Sequence, residues 1–229
     1  MSSPFLTGYQ GYFNPRQVVE IAQGAQESSV IDTGGMSLQA IILPPVMTGT
    51  ALTFQTADSP NGFQAQGQVR FTGPPSDGDT LTIAGTVITF VASGPTGNQV
   101  LIGGSAALTA ANLQAFLVAS SDLGLQSCTY STEGAVTMVT AGTAGTAGNA
   151  ITFVGGGIPI VVTPSGGVLT GGGFRPVYSP DNSALSVTVA ANRCYAFSTP
   201  VFQGLRYLKI VSGTAEAADR TLICSLKGL

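Results

Sequence analysis

Alternation of apolar and polar positions is clearest toward the C-terminal end of the chain. Leu185, Val187 and Val189 fall on one face of an extended segment, with Ser186 and Thr188 on the other. Further on, Leu222, Cys224 and Leu226 alternate with Thr221, Ile223, Ser225 and Lys227. A period of two, rich in Thr and Val, predicts half-buried antiparallel strands. Residues 205–211 form a further strand candidate between them. Upstream, residues 38–43 make a short apolar run that stops at Pro44-Pro45, and Leu52 and Phe54 alternate with Thr53 and Gln55.

The middle of the chain carries different signals. Residues 79–83 and 87–91 flank Ala84-Gly85-Thr86, which is a hairpin pattern. Residues 98–102 form another short strand. A single helix is predicted from Ser105 to about Ser121, a stretch without Gly or Pro that places Leu113, Phe116 and Leu117 on a common side. Ser105 or Thr109 can cap it, and Gly124 is the expected stop. Strands resume at residues 136–139, 151–154 and 158–162. The first 29 residues have no strong period. Phe5, Tyr9, Tyr12 and Phe13 are punctuated there by Gly8, Gly11 and Pro15, so a long regular element is not expected. Such an aromatic segment can fold back on its own domain or dock on a neighbour.

A composition shift divides the chain. Residues 66–173 hold one basic residue, Arg70, against Asp77, Asp79, Asp122 and Glu133, a net charge of −3 that equals the whole chain's. Glycine-rich borders flank this block, ending in Gly171-Gly172-Gly173. Insertion of a domain into an exposed loop gives this pattern. The expected organisation is an N-terminal extended arm (1–27), an outer domain (28–65 plus 174–229) and an inserted module (66–173). The expected fold class is mainly β: an antiparallel β-sandwich or jelly-roll-like outer domain, with a small α+β module containing one helix.

Composition then narrows the function. The chain has no histidine and no tryptophan, 31 glycines, and only 8% charged residues. Most catalytic strategies need His, or clustered carboxylates and amines at shifted pKa. No Ser-His-Asp or Cys-His arrangement is available, so an enzyme and a cofactor are not expected. The eight basic residues are scattered, which argues against nucleic acid. The most apolar stretch, residues 151–162, is cut by glycines and Pro159 and is too short for a membrane span. The N-terminus lacks the basic and apolar regions of a signal peptide. Cys128, Cys194 and Cys224 are odd in number and far apart, and are expected as buried small hydrophobes in a reducing compartment.

Two motifs invite chemistry and have plainer explanations. The repeat at residues 140–148, three copies of Thr-Ala-Gly, lacks the Lys-Ser/Thr of a phosphate loop and is expected as a flexible loop between strands. Asp77-Gly78-Asp79 has too few neighbouring acids for calcium and is expected as a turn. Arg175, Arg193, Arg206, Lys209 and Arg220 gather in the C-terminal part with Asp181, Glu216 and Asp219, as solvated strand faces or partner-facing ion pairs. Phe5, Tyr9, Tyr12, Phe13, Arg193 and Arg206 are the candidate partner contacts. No catalytic, cofactor or metal residue is assigned.

A resemblance points the same way. The segments 185–190, 202–214 and 218–222, with Phe202-Gln-Gly-Leu-Arg-Tyr-Leu-Lys-Ile-Val-Ser-Gly-Thr214 at their centre, resemble the C-terminal part of virion structural proteins of tailed bacteriophages. The stretch Gly78-Asp-Thr-Leu-Thr-Ile-Ala-Gly85, with residues 89–94 and 97–103, is similar to a module recurring in phage head and tail proteins. The resemblance implies a virion component assembled in the bacterial host cytoplasm. A capsid decoration or cement protein is the expected form, self-associating, with a trimer favoured, and bound to the major capsid protein. A tail, neck or baseplate component is the first alternative, and a displayed receptor- or glycan-binding module the second.

Overall fold

The computed structural model describes residues 15–198 and 201–228. Along the chain the elements begin with β1 (Arg16–Ile21), β2 (Ile31–Asp32), β3 (Ser37–Ile42) and β4 (Ala51–Ala57). Next come β5 (Gln64–Phe71), β6 (Thr80–Ile83), β7 (Thr86–Val91) and β8 (Gln99–Leu101). Helices α1 (Ala106–Ala119) and α2 (Leu123–Gln126) lead into β9 (Cys128–Glu133) and β10 (Val136–Ala144). A 3-10 turn (Thr146–Ala150), β11 (Phe153–Gly156) and β12 (Ile160–Thr163) follow. The chain closes with β13 (Arg175–Pro176), β14 (Ser186–Thr188), β15 (Cys194–Ala196), β16 (Tyr207–Ser212) and β17 (Arg220–Lys227).

Two compact units result. One joins Met1–Pro60 to Pro176–Leu229, and the other is the continuous stretch Asn61–Arg175. With these limits Arg175 belongs to the central unit, whose net charge is −2, and the outer unit carries −1.

The outer unit is built from two antiparallel sheets. One has the order β1-β17-β3-β15. In the other, β4 lies between β16 and β14, and β2 follows β16. Their inner faces share one core. Val19, Ile21, Leu38, Ile41, Leu222, Cys224 and Leu226 come from the first sheet, and Ile31, Leu52, Phe54, Leu208 and Ile210 from the second. Phe54, Phe197 and Phe202 meet edge to face, with centroids 4.9 to 5.4 Å apart, the arrangement their ring quadrupoles favour. The alternation seen in the sequence of β17 is real: Leu222, Cys224 and Leu226 are buried.

The stretch expected as an extended arm contributes a strand. β1 pairs with β17 from Arg16↔Ser225 to Ile21↔Arg220, and Val19 and Ile21 enter the core. Val18 masks this pattern in the sequence, because it is apolar yet stands 63% exposed on the opposite face.

The central unit is also two sheets, ordered β12-β5-β10-β9 and β11-β6-β7-β8. The predicted hairpin is present as β6 and β7, in register from Thr80↔Thr89 to Ile83↔Thr86. Ala84 and Gly85 both take positive φ (51° and 83°), as a primed two-residue turn requires. β8 returns parallel to β7. Helix α1 buries Thr109, Ala110, Leu113 and Leu117. The Ser105 side chain accepts the Leu108 amide at 3.2 Å and so caps the helix.

Three local expectations need correction. Gly124 does not end α1. The helix stops at Ala119 with Ser120 extended, and Gly124 sits inside α2, which Asp122 caps. Glycine is there for a close approach: a Cβ on it would lie 2.8 Å from the Ala84 carbonyl oxygen. The Thr-Ala-Gly repeat is not a flexible loop. Its first part completes β10 and its last part forms the 3-10 turn. Its small residues let backbones approach, for a Cβ on Gly148 would lie 2.8 Å from that of Ala141 and 2.9 Å from that of Ala65. Finally, the border expected between residues 65 and 66 falls inside a strand. The central unit begins at Asn61, and residues 64–71 form β5, between β12 and β10. Its buried alternation starts with Ala65 and Gly67, residues too small to register as a hydrophobic period.

Candidate functional site

The most elaborate polar site in the outer unit is one that the sequence did not single out. Glu216 is 1% exposed and holds both carboxylate oxygens in hydrogen bonds. Oε1 accepts from the Gly49 amide (3.1 Å) and the Ser212 hydroxyl (2.7 Å). Oε2 accepts from the Thr48 amide (2.7 Å) and from Arg220 Nε (3.1 Å). Its main chain is tied as well, since the Glu216 amide donates to Ala25 O and its carbonyl accepts the Gly24 amide. Burial pushes the carboxyl up, but the donors from Thr48, Ser212, Gly49 and Arg220 outweigh it and hold the pKa at about 2. Gly49 fits this node because a Cβ there would collide with Ser212 Oγ. Every oxygen is used internally, so the site clamps three chain segments together and presents no free acceptor to a ligand.

Other carboxylates are likewise spent on local structure. Asp77 Oδ1 accepts the Ala92 amide at 2.8 Å, and Asp79 Oδ2 accepts the Ser76 amide at 2.7 Å. The Asp79 amide donates back to Ser76 O, so Asp77-Gly78-Asp79 is the turn expected of it. Asp122 accepts from the Leu125 amide and the Thr86 hydroxyl, and these bonds lower its pKa. Among the described residues no group of three or more His, Cys, Asp or Glu could hold a metal ion. No helix among them is long and apolar enough to cross a membrane.

The cysteines divide. Cys128 and Cys224 are buried, and burial raises both thiols, Cys224 to about 12. Cys194 departs from the expectation and is exposed. It lies on β15, which among the described residues is the last strand of its sheet and pairs with β3.

Of the candidate partner contacts, Phe5, Tyr9, Tyr12 and Phe13 lie outside the described residues. Arg193 is exposed just before β15, and its carbonyl accepts the Leu43 amide. Arg206 is exposed just before β16, pairs with Asp32 at 3.4 Å and lies 4.9 Å over the Tyr207 ring. The two arginines therefore stand at strand ends in different sheets. Three of the C-terminal cations form ion pairs in the outer unit, Arg206–Asp32, Lys209–Glu27 at 2.7 Å and Arg220–Glu216, while Asp181 accepts from Ser183 and Asp219 from the Gln23 amide.

Exposed apolar side chains form the clearest outward-facing signal, and most of them sit on the central unit. Ile158, in the turn between β11 and β12, is 97% exposed, and Leu123, at the start of α2, is 82% exposed. On α1, Leu108 and Val118 are 57% and 68% exposed, and Ala111 and Ala115 lie between them at helical spacing. No residue of α1 is charged. A surface helix normally turns a polar face to water, and one that is apolar all round is normally covered. Sequence reading found the buried face of this helix and missed the outer one, although the absence of any charged residue from 106 to 119 was legible.

Two grooves complete the picture. One, of about 440 Å³ in the central unit, includes Gln66, Gln68, Met138, Thr170 and Arg175. Arg175 is already engaged there, 4.6 Å over the Phe63 ring and bonded to Gly171 O. The other, of about 700 Å³ in the outer unit, runs along β1 past Val18 and Glu20 to Glu27, Ser29 and Lys209. Comparison of the chain with family models, with curated proteins and with solved structures finds no match.

Proposed function

We propose that this protein is a structural component of a tailed-phage virion, most simply a capsid decoration or cement protein. It would assemble in the host cytoplasm, associate with copies of itself and attach to the major capsid protein. The observation that supports this reading is the set of exposed apolar side chains on the central unit, including the outer face of the uncharged helix α1. Covering a fully exposed Leu, Ile or Val contributes about 1.5–3 kcal/mol, so Leu108, Val118, Leu123 and Ile158 together supply much of the driving force for a protein–protein contact. Repetition over a lattice then adds avidity. The polar groups support the reading from the other side, since the carboxylates described above serve caps, turns and an internal clamp. The resemblance of the segments 78–85, 89–94, 97–103, 185–190, 202–214 and 218–222 to phage virion proteins supports this class of particle.

The test is a count. Heads and tails of the purified particle are separated, and this protein is quantified in each by mass spectrometry. Copies in heads comparable in number with the shell protein support decoration. A few copies with tails or necks move the assignment to a tail, neck or baseplate component. Absence from both overturns the virion reading.

A further inference from the structure

The sheet β12-β5-β10-β9 of the central unit has one face in the core and one outside it. Val69, Val139 and Cys128 enter the core, where Leu113 and Leu117 of α1 also pack. Residues one step away along each strand face the other side. They line up in rows across β5, β10 and β9. Arg70, Val136 and Glu133 make one row, and Gln68, Met138 and Ser131 make the next. Gln66, Thr140 and Thr129 make a third. None of these side chains is buried.

Charge enters these rows at one level only. Arg70 is the one basic residue of 66–173, and both it and Glu133 are exposed. Val136 stands between them, so their backbones lie roughly 10 Å apart, two strand spacings. Among the described residues neither side chain has an ion-pair partner. A third groove, of about 650 Å³, runs along this face from Gln68 and Met138 to Ser131, Val136 and Glu133. Glu133 lines it and Arg70 does not.

Such a face is complementary to itself. A two-fold axis laid along β10 stacks Val136 on Val136 and Met138 on Met138 of a second copy. The same rotation sets Arg70 against Glu133, Gln68 against Ser131 and Gln66 against Thr129. Each contact then occurs twice, as an isologous interface requires. An axis along β5 would stack Arg70 on Arg70, and one along β9 would stack Glu133 on Glu133, so charge selects β10. The second copy's Arg70 then enters the groove that Glu133 lines.

We infer that this outer face pairs with the same face of a second copy about a two-fold axis along β10, with two Arg70–Glu133 ion pairs around a centre of Val136 and Met138. Three rows on three strands give a patch of roughly 15 by 15 Å, at the small end of specific interfaces. The contact is therefore weak in solution and gains from repetition over a lattice. The inference rests on reading the chain as a self-associating particle protein. It uses the face of the sheet opposite α1, so the exposed apolar residues of that helix remain for contact with a different protein.

All chains in the test carry Cys194→Ser to remove the exposed thiol. Mild oxidation is expected to link Met138→Cys between copies, since the axis passes beside it. Thr163→Cys, on β12 in the same row, should stay unlinked. Sedimentation at concentrations up to about 1 mM, the weak limit of specific binding, is expected to show a reversible dimer. Arg70→Glu alone and Glu133→Arg alone should each weaken it by about tenfold or more. Their thermal midpoints should stay nearly unchanged, because both side chains are exposed. Mixed in equal amounts, the two variants should associate with each other as tightly as the parent, since every facing pair is then Arg with Glu. A chain that stays monomeric, a Met138→Cys that does not link, or a Thr163→Cys that links as well overturns the inference. So do single reversals that associate like the parent, or a mixture that fails to restore association. Any of these leaves the virion reading to the particle count, which does not depend on this face.

Discussion

The two units solve the same problem with different chemistry. The outer unit is assembled from two distant stretches of chain, and two of its ion pairs, Arg206–Asp32 and Lys209–Glu27, and its buried carboxylate join residues far apart in sequence. Glu216 reaches Thr48 and Gly49 across 168 and 167 residues. The central unit is one continuous stretch. It is held by a hairpin turn, helix caps, small residues in close contact and a single apolar core. Closing a long loop costs conformational entropy that grows with its length. A buried, fully bonded carboxylate placed where the two stretches meet gives the outer unit a specific closure. The central unit also pairs distant strands, β5 with β10 and β12 and β6 with β11, but without a buried ion pair among the described residues.

The comparison breaks most sharply at Glu216. Glu216→Gln removes the charge that the Thr48 and Gly49 amides, Ser212 and Arg220 all point at, and leaves Arg220, 13% exposed in its side chain, without its partner. The expected loss is about 3–5 kcal/mol, read by denaturant melts, with hydrogen exchange accelerating around residues 24–25, 48–49 and 212–220. The same group sets an acid dependence. Its folded pKa of about 2 lies below the ordinary 4.5, so its stabilisation is complete above pH 4.5 and is lost as pH falls toward 2. Melts at pH 5, 4, 3 and 2 should show that loss in the natural chain. Glu216→Gln should flatten it.

In the central unit the largest effect is steric. Gly148→Val places bulk against Ala141 and Ala65 and is expected to cost about 1–3 kcal/mol, while a truly flexible loop at 140–148 would tolerate it. Ser105→Ala removes the cap of α1 and should cost about 1 kcal/mol, seen as faster amide exchange in the first turn of the helix. Smallest of all, Arg206→Ala breaks an exposed pair with Asp32 and should change stability by less than about 1 kcal/mol. A large loss there would mean that the exposed charges of the outer unit matter as much as its buried one.

Several features were legible from short stretches of sequence. Period-two runs at 185–189 and 221–227 mark strands because burial alternates side by side along one segment. Ala84-Gly85 between two apolar runs marks a hairpin because Gly85 accepts positive φ without cost, Ala84 taking it at a steric cost, and Ser105 marks a helix start because its oxygen meets an amide three residues on. Each depends on neighbours in sequence. The expectations that failed share a different cause. β1 was hidden by Val18, which is apolar and exposed. β5 was hidden by Ala65 and Gly67, which are buried and nearly featureless. The Thr-Ala-Gly repeat suggested flexibility, yet its small side chains serve backbone contact. Of the candidate partner contacts, Arg193 and Arg206 are exposed, while the apolar outer stripe of α1 is hidden in the sequence because Leu108 and Val118 look like any other core residues.

The β character of the chain, its single substantial helix and the composition break between its two units are readable from sequence, since alternation, turn residues and charge are local properties. Which carboxylate is buried, which glycines are required and which apolar residues face water emerge with the packing of distant segments. These depend on what a distant part of the chain brings within 3 Å. A Glu beside an Ala-Ala-Asp-Arg run looks like any solvated acid until Thr48, Gly49 and Ser212 converge on it.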